Sequence, residues 1–380
     1  MGKRIRLGLV YLWDESWLGG VYYIQNLLKA LNTLNEERKP IVHVYCMSDK
    51  AFDDLHSNTN YPYMEKTLVK RSFWKQVLRK ICRYFVHEKA DYISDIPINV
   101  KDDVIYPWFE GKSINKMLYW IPDFQEKHYP NMFNTGEIKK RERKVLSCCK
   151  RGIPIVFSSV AAQTDFHIYY PQYYNHNTYI VHFAVLLPNY SNIDFTKIKQ
   201  KYKISKRYLI CPNQFWKHKN HLFLFKAFKK AVDCGLDLQL ICTGKMTDYR
   251  NPEYIDDVRN FIYSYHLETK ILILGMIDKL ELYCLMENSY AVVQPSLFEG
   301  WNTTVEDCKA MSKFVFLSNI SVHQEQMDKN VCFFDPINED DLADKLLSVE
   351  PNVVPYEYEK CIKQYGVDFY NIIKARMLNS

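Results

Sequence analysis

The stretch Gln294-Pro295-Ser296-Leu297-Phe298-Glu299-Gly300-Trp301-Asn302-Thr303-Thr304-Val305-Glu306-Asp307 decides how this chain is read. Residues 291–294 before it read as a buried strand, and a helical pattern starts near Thr303. A strand that runs through a glycine-bearing turn into a helix presents backbone N–H groups that suit a phosphate. Glu299 stands at the mouth of the turn, and Asp307 lies two helical turns further on. A carboxylate is a bidentate acceptor suited to sugar hydroxyls. An ordinary surface turn with a capped helix explains the stretch equally well on the residues alone.

Upstream, Cys211-Pro212-Asn213-Gln214-Phe215-Trp216-Lys217-His218-Lys219-Asn220-His221 has the same setting. It follows a strand at 208–211 and precedes a helix at 221–232. Lys217 and Lys219 therefore sit in a βα loop, where a lysine can neutralise a pyrophosphate as a point charge. A solvated cationic loop is the other reading. Around these two stretches, strands at 238–243, 271–274, 314–317 and 332–334 alternate with helices at 254–266, 280–288 and 303–311. Gly244 and Gly275 close two of the strands. This is the alternation of a doubly wound α/β domain.

The first half opens with a strand at 5–13, the pair Gly19-Gly20 and a helical pattern of Val21, Ile24, Leu27, Leu28 and Leu31. The next strand, at 41–47, completes a βαβ unit with a parallel sheet. Residues 188–192 are turn chemistry. We expect domains at 1–190 and 191–355, and a helix at 356–380 that crosses back to the first. Two such domains facing a cleft put a ligand site at the carboxyl ends of their strands.

The chain has 380 residues, 47% apolar and 25% charged, which excludes collagenous and wholly disordered classes. The net charge is +6. Residues 1–190 carry 26 Lys/Arg against 19 Asp/Glu, while residues 191–380 carry 24 against 25. The whole excess lies in the first half. The N-terminus reads as a strand rather than a leader, and no apolar run approaches a spanning helix. The 11 cysteines form no Cys-x-x-Cys, so buried thiols in a reducing cytosol are expected rather than disulfides or zinc.

Taken together, these stretches resemble the nucleotide-sugar glycosyltransferases of the GT-B fold, and within them the large retaining group called family 4. The resemblance also rests on Gly19-Gly20, on Trp120-Ile121-Pro122-Asp123-Phe124-Gln125 and on Ser158-Ser159-Val160. It implies two Rossmann-like domains, the first binding acceptor and the second the nucleotide sugar, with no metal and no other cofactor. By that resemblance Glu299 holds donor-sugar hydroxyls and Asp307 the ribose. Lys219 meets the pyrophosphate, with Lys217 in support. Asn213 stands where relatives commonly carry an arginine. Gly300, Trp301, Asn302 and Thr303 offer backbone N–H groups to the pyrophosphate. Gly20 approaches the same phosphates, Met276 meets the base, and Gly244 belongs to the donor site. Asp123 is what remains of a His-Asp pair near the reacting carbon and is expected to orient the acceptor. A helix cap or turn role for it competes evenly.

Residues 66–89 hold eight Lys/Arg and one acid, Glu88. Phe73, Trp74, Val77, Leu78, Ile81, Cys82 and Phe85 form one helical stripe, with Arg71, Lys75, Arg79 and Arg83 on another side. Such a helix either packs its apolar face on the domain or lies on an anionic membrane. No nucleic-acid motif accompanies the cations. The function expected is a cytoplasmic, retaining hexosyl-type transferase, peripheral at the inner face of the membrane. It would move sugar from a nucleotide-diphosphate donor to a glycan or lipid-linked acceptor in surface polysaccharide or lipopolysaccharide synthesis. The alternatives are a non-catalytic nucleotide-sugar-binding subunit and a sugar-nucleotide epimerase.

Overall fold

The structure, a computed structural model, describes residues 3–12, 18–85, 87–248 and 250–379. It forms two compact units. One comprises Met1–Pro130, Asn134–Leu186 and Glu359–Ser380; the other comprises Asn131–Phe133 and Leu187–Tyr358.

In the first unit, β1 (Arg6–Tyr11), α1 (Leu18–Asn32), β2 (Ile41–Cys46), α2 (Asp49–Thr59) and β3 (Met64–Leu68) follow in order. Then come α3 (Phe73–Phe85), β4 (Val104–Tyr106), β5 (Tyr119–Ile121), α4 (Gln125–His128), α5 (Thr135–Lys150), β6 (Ile155–Phe157), α6 (Val160–Tyr169) and β7 (Thr178–Ile180). The strands form parallel sheets ordered β3-β2-β1-β4 and β5-β6-β7. A parallel bridge from Ile105 to Met117 links the two. Strands β1 and β2 are almost wholly buried, as both faces of a parallel sheet must be.

Two expectations for this unit change. Gly19 and Gly20 are not a turn before the helix but lie in the first turn of α1, and Trp13 falls outside the described residues. The expected helix at 66–89 starts only at Phe73, because Met64–Leu68 pairs with β2 as an edge strand. Its Glu65 and Lys66 are the charged residues that protect an edge. Of the apolar stripe of α3, for which the sequence leaves two readings open, Phe73, Trp74, Leu78 and Ile81 are exposed while Val77 and Cys82 are half-buried.

In the second unit, α7 (Phe195–Lys201), β8 (Tyr208–Pro212), α8 (His221–Asp233), β9 (Gln239–Thr243), α9 (Tyr254–Ser264) and β10 (Ile271–Gly275) come first. They are followed by α10 (Lys279–Glu287), β11 (Ala291–Gln294), α11 (Thr303–Ala310), β12 (Val315–Ser318), α12 (Ser321–Gln326), β13 (Val331–Phe334) and α13 (Glu339–Ser348). The sheet is parallel with the order β10-β9-β8-β11-β12-β13. The order reverses between β8 and β11, the switch point at which doubly wound sheets bind ligands beyond their carboxyl ends. Apolar cores lie on both faces of this sheet.

The last helix, α14 (Tyr358–Leu378), belongs to the first unit from Glu359 onward. There Gly366 lies so close to α1 that a Cβ would stand 2.4 Å from the Ala30 carbonyl oxygen. Beside it, Tyr365 is buried near Tyr23, and Tyr23 meets the Tyr106 hydroxyl at 2.5 Å.

Candidate functional site

The carboxyl ends of β8 to β11 bring together most of the residues expected from the sequence. The loop after β8 and the loop after β11 are tied by the Leu297 N–H donating to the His218 carbonyl at 2.8 Å. Across that tie, the Lys219 Nζ lies 2.5 Å from Glu299 Oε1. Both side chains are largely enclosed, at 14% and 10% exposure, so the pair is not an ordinary surface bridge. Lys217, two residues before Lys219 in the same turn, is exposed. Met276 follows β10 and is exposed, beside the Gln214 amide.

Gly244 is needed where it stands. Its φ is +127°, and a Cβ would come within 2.2 Å of the Asn213 carbonyl oxygen. The Gly244 N–H donates to the Gly275 carbonyl at 2.8 Å, and the Phe215 N–H donates to the Lys245 carbonyl at 3.0 Å. The three strand ends are thus fastened into one platform.

Asn302 organises the floor. Its Oδ1 accepts from Thr304 N–H at 2.9 Å and Val305 N–H at 3.3 Å, which caps α11. Its Nδ2 donates to Glu299 Oε1 at 3.3 Å and to His323 Nε2 at 3.2 Å. Burial holds His323 neutral, its pKa lowered to about 4, and Nδ1 donates to the Ser318 carbonyl at 3.0 Å. This corrects one expectation. The Asn302 N–H is committed to Gln326 Oε1 at 3.1 Å and is not offered to a ligand. Gly300, Trp301 and Thr303 are half-buried around it.

Asn213 also differs. It is buried, and its Nδ2 donates to Gln294 Oε1 at 2.8 Å. It braces β8 against β11 from inside, so it does not stand in for a phosphate-binding cation. Gln294, His323 and Gln326 escape sequence reasoning because their partners lie far along the chain and carry no spacing signal.

The two acids of α11 separate cleanly. Glu306 accepts from the Tyr358 hydroxyl at 2.6 Å and from Gln326 Nε2 at 2.9 Å, and it pairs with Lys309 at 3.1 Å. It is an internal brace. Asp307 has one long contact, from the Tyr283 hydroxyl at 3.4 Å. Burial pushes its carboxyl up to about 7, against which Lys279 and Tyr283 work. A buried carboxyl so weakly satisfied has acceptor capacity left for hydroxyls.

Asp123 lies in the first unit, beyond β5. Its Oδ1 accepts from Gln125 N–H at 3.1 Å and from Arg141 at 3.0 Å. Arg141 also pairs with Glu126 at 3.0 Å. The carboxylate thus turns α4 and anchors α5, and it borders a cavity of about 230 Å³ with Trp120 and Lys144. Gly20 is buried and borders a smaller cavity of about 60 Å³ with Tyr11 and Trp120. Among the described residues no group of three His, Cys, Asp or Glu side chains is placed to hold a metal. No described helix is long and apolar enough to cross a membrane.

Residues 194–366 match the family of glycosyl transferases group 1. The O-antigen chain mannosyltransferase RfbU of Salmonella typhimurium is 24% identical over 188 residues, a match that spans about half of each chain (49%). The structure of HepE from Anabaena, in complex with UDP and glucose, superposes with a TM-score of 0.62 at 15% identity, covering 98% of this chain and 96% of that one. A glycosyltransferase from Rickettsia africae gives 0.60 at 15% identity, covering 100% and 94%. Together with the parallel doubly wound sheets, these likenesses establish the GT-B fold and support a glycosyltransferase of group 1, its family segment lying mainly in the second unit.

Proposed function

We propose that the protein transfers a sugar from a nucleotide-diphosphate sugar to a glycan or lipid-linked acceptor, with retention at the anomeric carbon, in surface polysaccharide or lipopolysaccharide assembly. The observation that carries this reading is the enclosed Lys219–Glu299 pair at the switch point of the second sheet. The mannosyltransferase likeness favours a polysaccharide product. A lipid-linked acceptor would place the enzyme in the cytoplasm at the inner face of the membrane.

In this proposal the arriving donor separates the pair. Lys219 turns to the diphosphate and Glu299 accepts from the sugar hydroxyls. Asp307 accepts from the ribose. The bond from the anomeric carbon to the phosphate oxygen breaks as the acceptor oxygen bonds to that carbon from the same face. The acceptor proton passes to the departing phosphate oxygen. Lys219 is then worth most, because charge builds on the diphosphate as it leaves. The N-terminal end of α11 adds its dipole.

The buried Asn213 favours a second reading, a subunit that binds nucleotide sugar without transfer. Release of nucleotide diphosphate in the presence of acceptor separates the two. Transfer predicts release that depends on Glu299 and Lys219. Undiminished release by Glu299→Ala would remove the site assignment, and donor turnover without any acceptor would point to epimerase chemistry instead.

A further inference from the structure

The helix α3 is built inside out. At 100° per residue, Phe73, Val77, Ile81, Trp74, Leu78 and Cys82 fill one half of its circumference. The other half carries Ser72, Lys75, Gln76, Arg79 and Lys80. The polar half is the one that holds the domain. Arg79 pairs with Asp95 at 3.0 Å and with Glu110 at 3.5 Å. Lys75 donates to the Ser94 carbonyl at 3.0 Å, and the Ser72 N–H donates to Asp95 at 3.2 Å. This half also roofs a cavity of about 320 Å³, to which it contributes Arg71, Gln76, Arg79 and Lys80.

Most of the apolar half faces outward, with Val77 and Cys82 half-buried. Trp74 is 78% exposed, Phe73 70%, Leu78 50% and Ile81 49%. Burial in water-excluded surroundings is the main gain an amphipathic helix has to offer. A helix that spends its ion pairs on the domain and leaves its aromatics outside has its apolar medium elsewhere. The charges say which medium. Residues 66–85 contain no Asp or Glu. Lys75 borders the apolar arc on one side and Lys80 on the other, with Lys70 and Arg71 exposed at the helix start. Cations on both borders of an aromatic face fit a surface that is apolar within and anionic at its rim.

We propose that α3 docks the protein on an anionic lipid bilayer, Phe73, Trp74, Leu78 and Ile81 entering the headgroup–acyl boundary while the exposed Lys70, Arg71 and Lys80 meet acidic headgroups. The inference goes beyond the transfer reaction and does not depend on it. The test is co-sedimentation of the full chain with vesicles of phosphatidylcholine alone or with roughly a third phosphatidylglycerol, without donor or acceptor. At low salt the protein binds the anionic vesicles, and about 0.5 M salt weakens that binding. The pair Phe73→Ser with Trp74→Ser lowers it on the order of ten-fold or more. Its unfolding midpoint stays at the wild-type value, since both side chains are exposed. Indifference of the wild type to anionic vesicles at low salt would overturn the proposal. So would undiminished binding by the double variant. If the double variant turns a dimer into a monomer while neither form binds vesicles, the face belongs to a second copy and the proposal fails.

Discussion

Glu299 and Lys219 hold each other in a largely enclosed place, and under the proposed function each occupies the position that a donor group would take. Glu299→Gln keeps the shape but leaves Lys219 without its counter-charge. We expect transfer to fall about 100-fold or more, equivalent to about 2.7 kcal/mol of lost transition-state stabilisation. Initial rates of nucleotide diphosphate release check this. Asp307 makes a pH prediction. The folded protein keeps its proton up to about pH 7, whereas the unfolded chain loses it near 3.8. Across that window the folded state binds more protons, so stability falls as pH rises. The cost above pH 7 is about 4 kcal/mol. Asp307→Asn has no charge to bury. It should raise the unfolding midpoint at pH 8, match wild type near pH 4, and weaken nucleotide binding at both. Equal midpoints at pH 8 would show that Asp307 is satisfied in a way its one long hydrogen bond does not indicate. The placement of both residues was legible in the sequence, because a βα turn and a helix face are local features. Asn213 was not, because its partner Gln294 sits 81 residues away on another strand.

Among elements, α11 depends on its cap. Asn302→Ala removes two hydrogen bonds to the first turn, costing about 1–2 kcal/mol. It also strips the buried Nε2 of His323 of its donor, for about 1–3 kcal/mol more. Denaturant unfolding should show a loss of about 2–5 kcal/mol, against near-neutral change for a merely solvated turn. Gly244→Ala forces a Cβ onto the Asn213 carbonyl at a left-handed φ. It should separate the β8 and β9 loops and lower both stability and nucleotide affinity, as melting and titration would report. In the second unit the six strands and the helices α8 to α11 followed from hydrophobic runs, two of them closed by glycines, whereas α7, α12 and α13 were not read. The first unit hid β3, whose sequence Met-Glu-Lys-Thr-Leu is too polar to read as a strand until β2 is beside it. Periodicity drew the apolar stripe of α3 but could not give its direction. That direction is set by Asp95 and Glu110, which take Arg79 inward.

At the scale of the molecule, the uneven charge of the two halves gains a location. Several of the cations that make the first half basic border α3, while the cations of the second half that matter for the proposed site are Lys219 and Lys217. The match to glycosyl transferases group 1 falls mainly on the second unit, where the motifs were most legible. Thermal shift across UDP-, GDP-, dTDP- and CMP-sugars tests the central claim, that the Lys219–Glu299 platform binds a nucleotide-diphosphate sugar. A donor at about 100 times its Kd stabilises the native state by about 2.7 kcal/mol. One nucleotide-diphosphate sugar should raise the midpoint of the wild type by several degrees, and Lys219→Ala and Glu299→Ala should each abolish the rise. No shift with any of them at millimolar concentration, or an equal shift in both variants, would contradict the account.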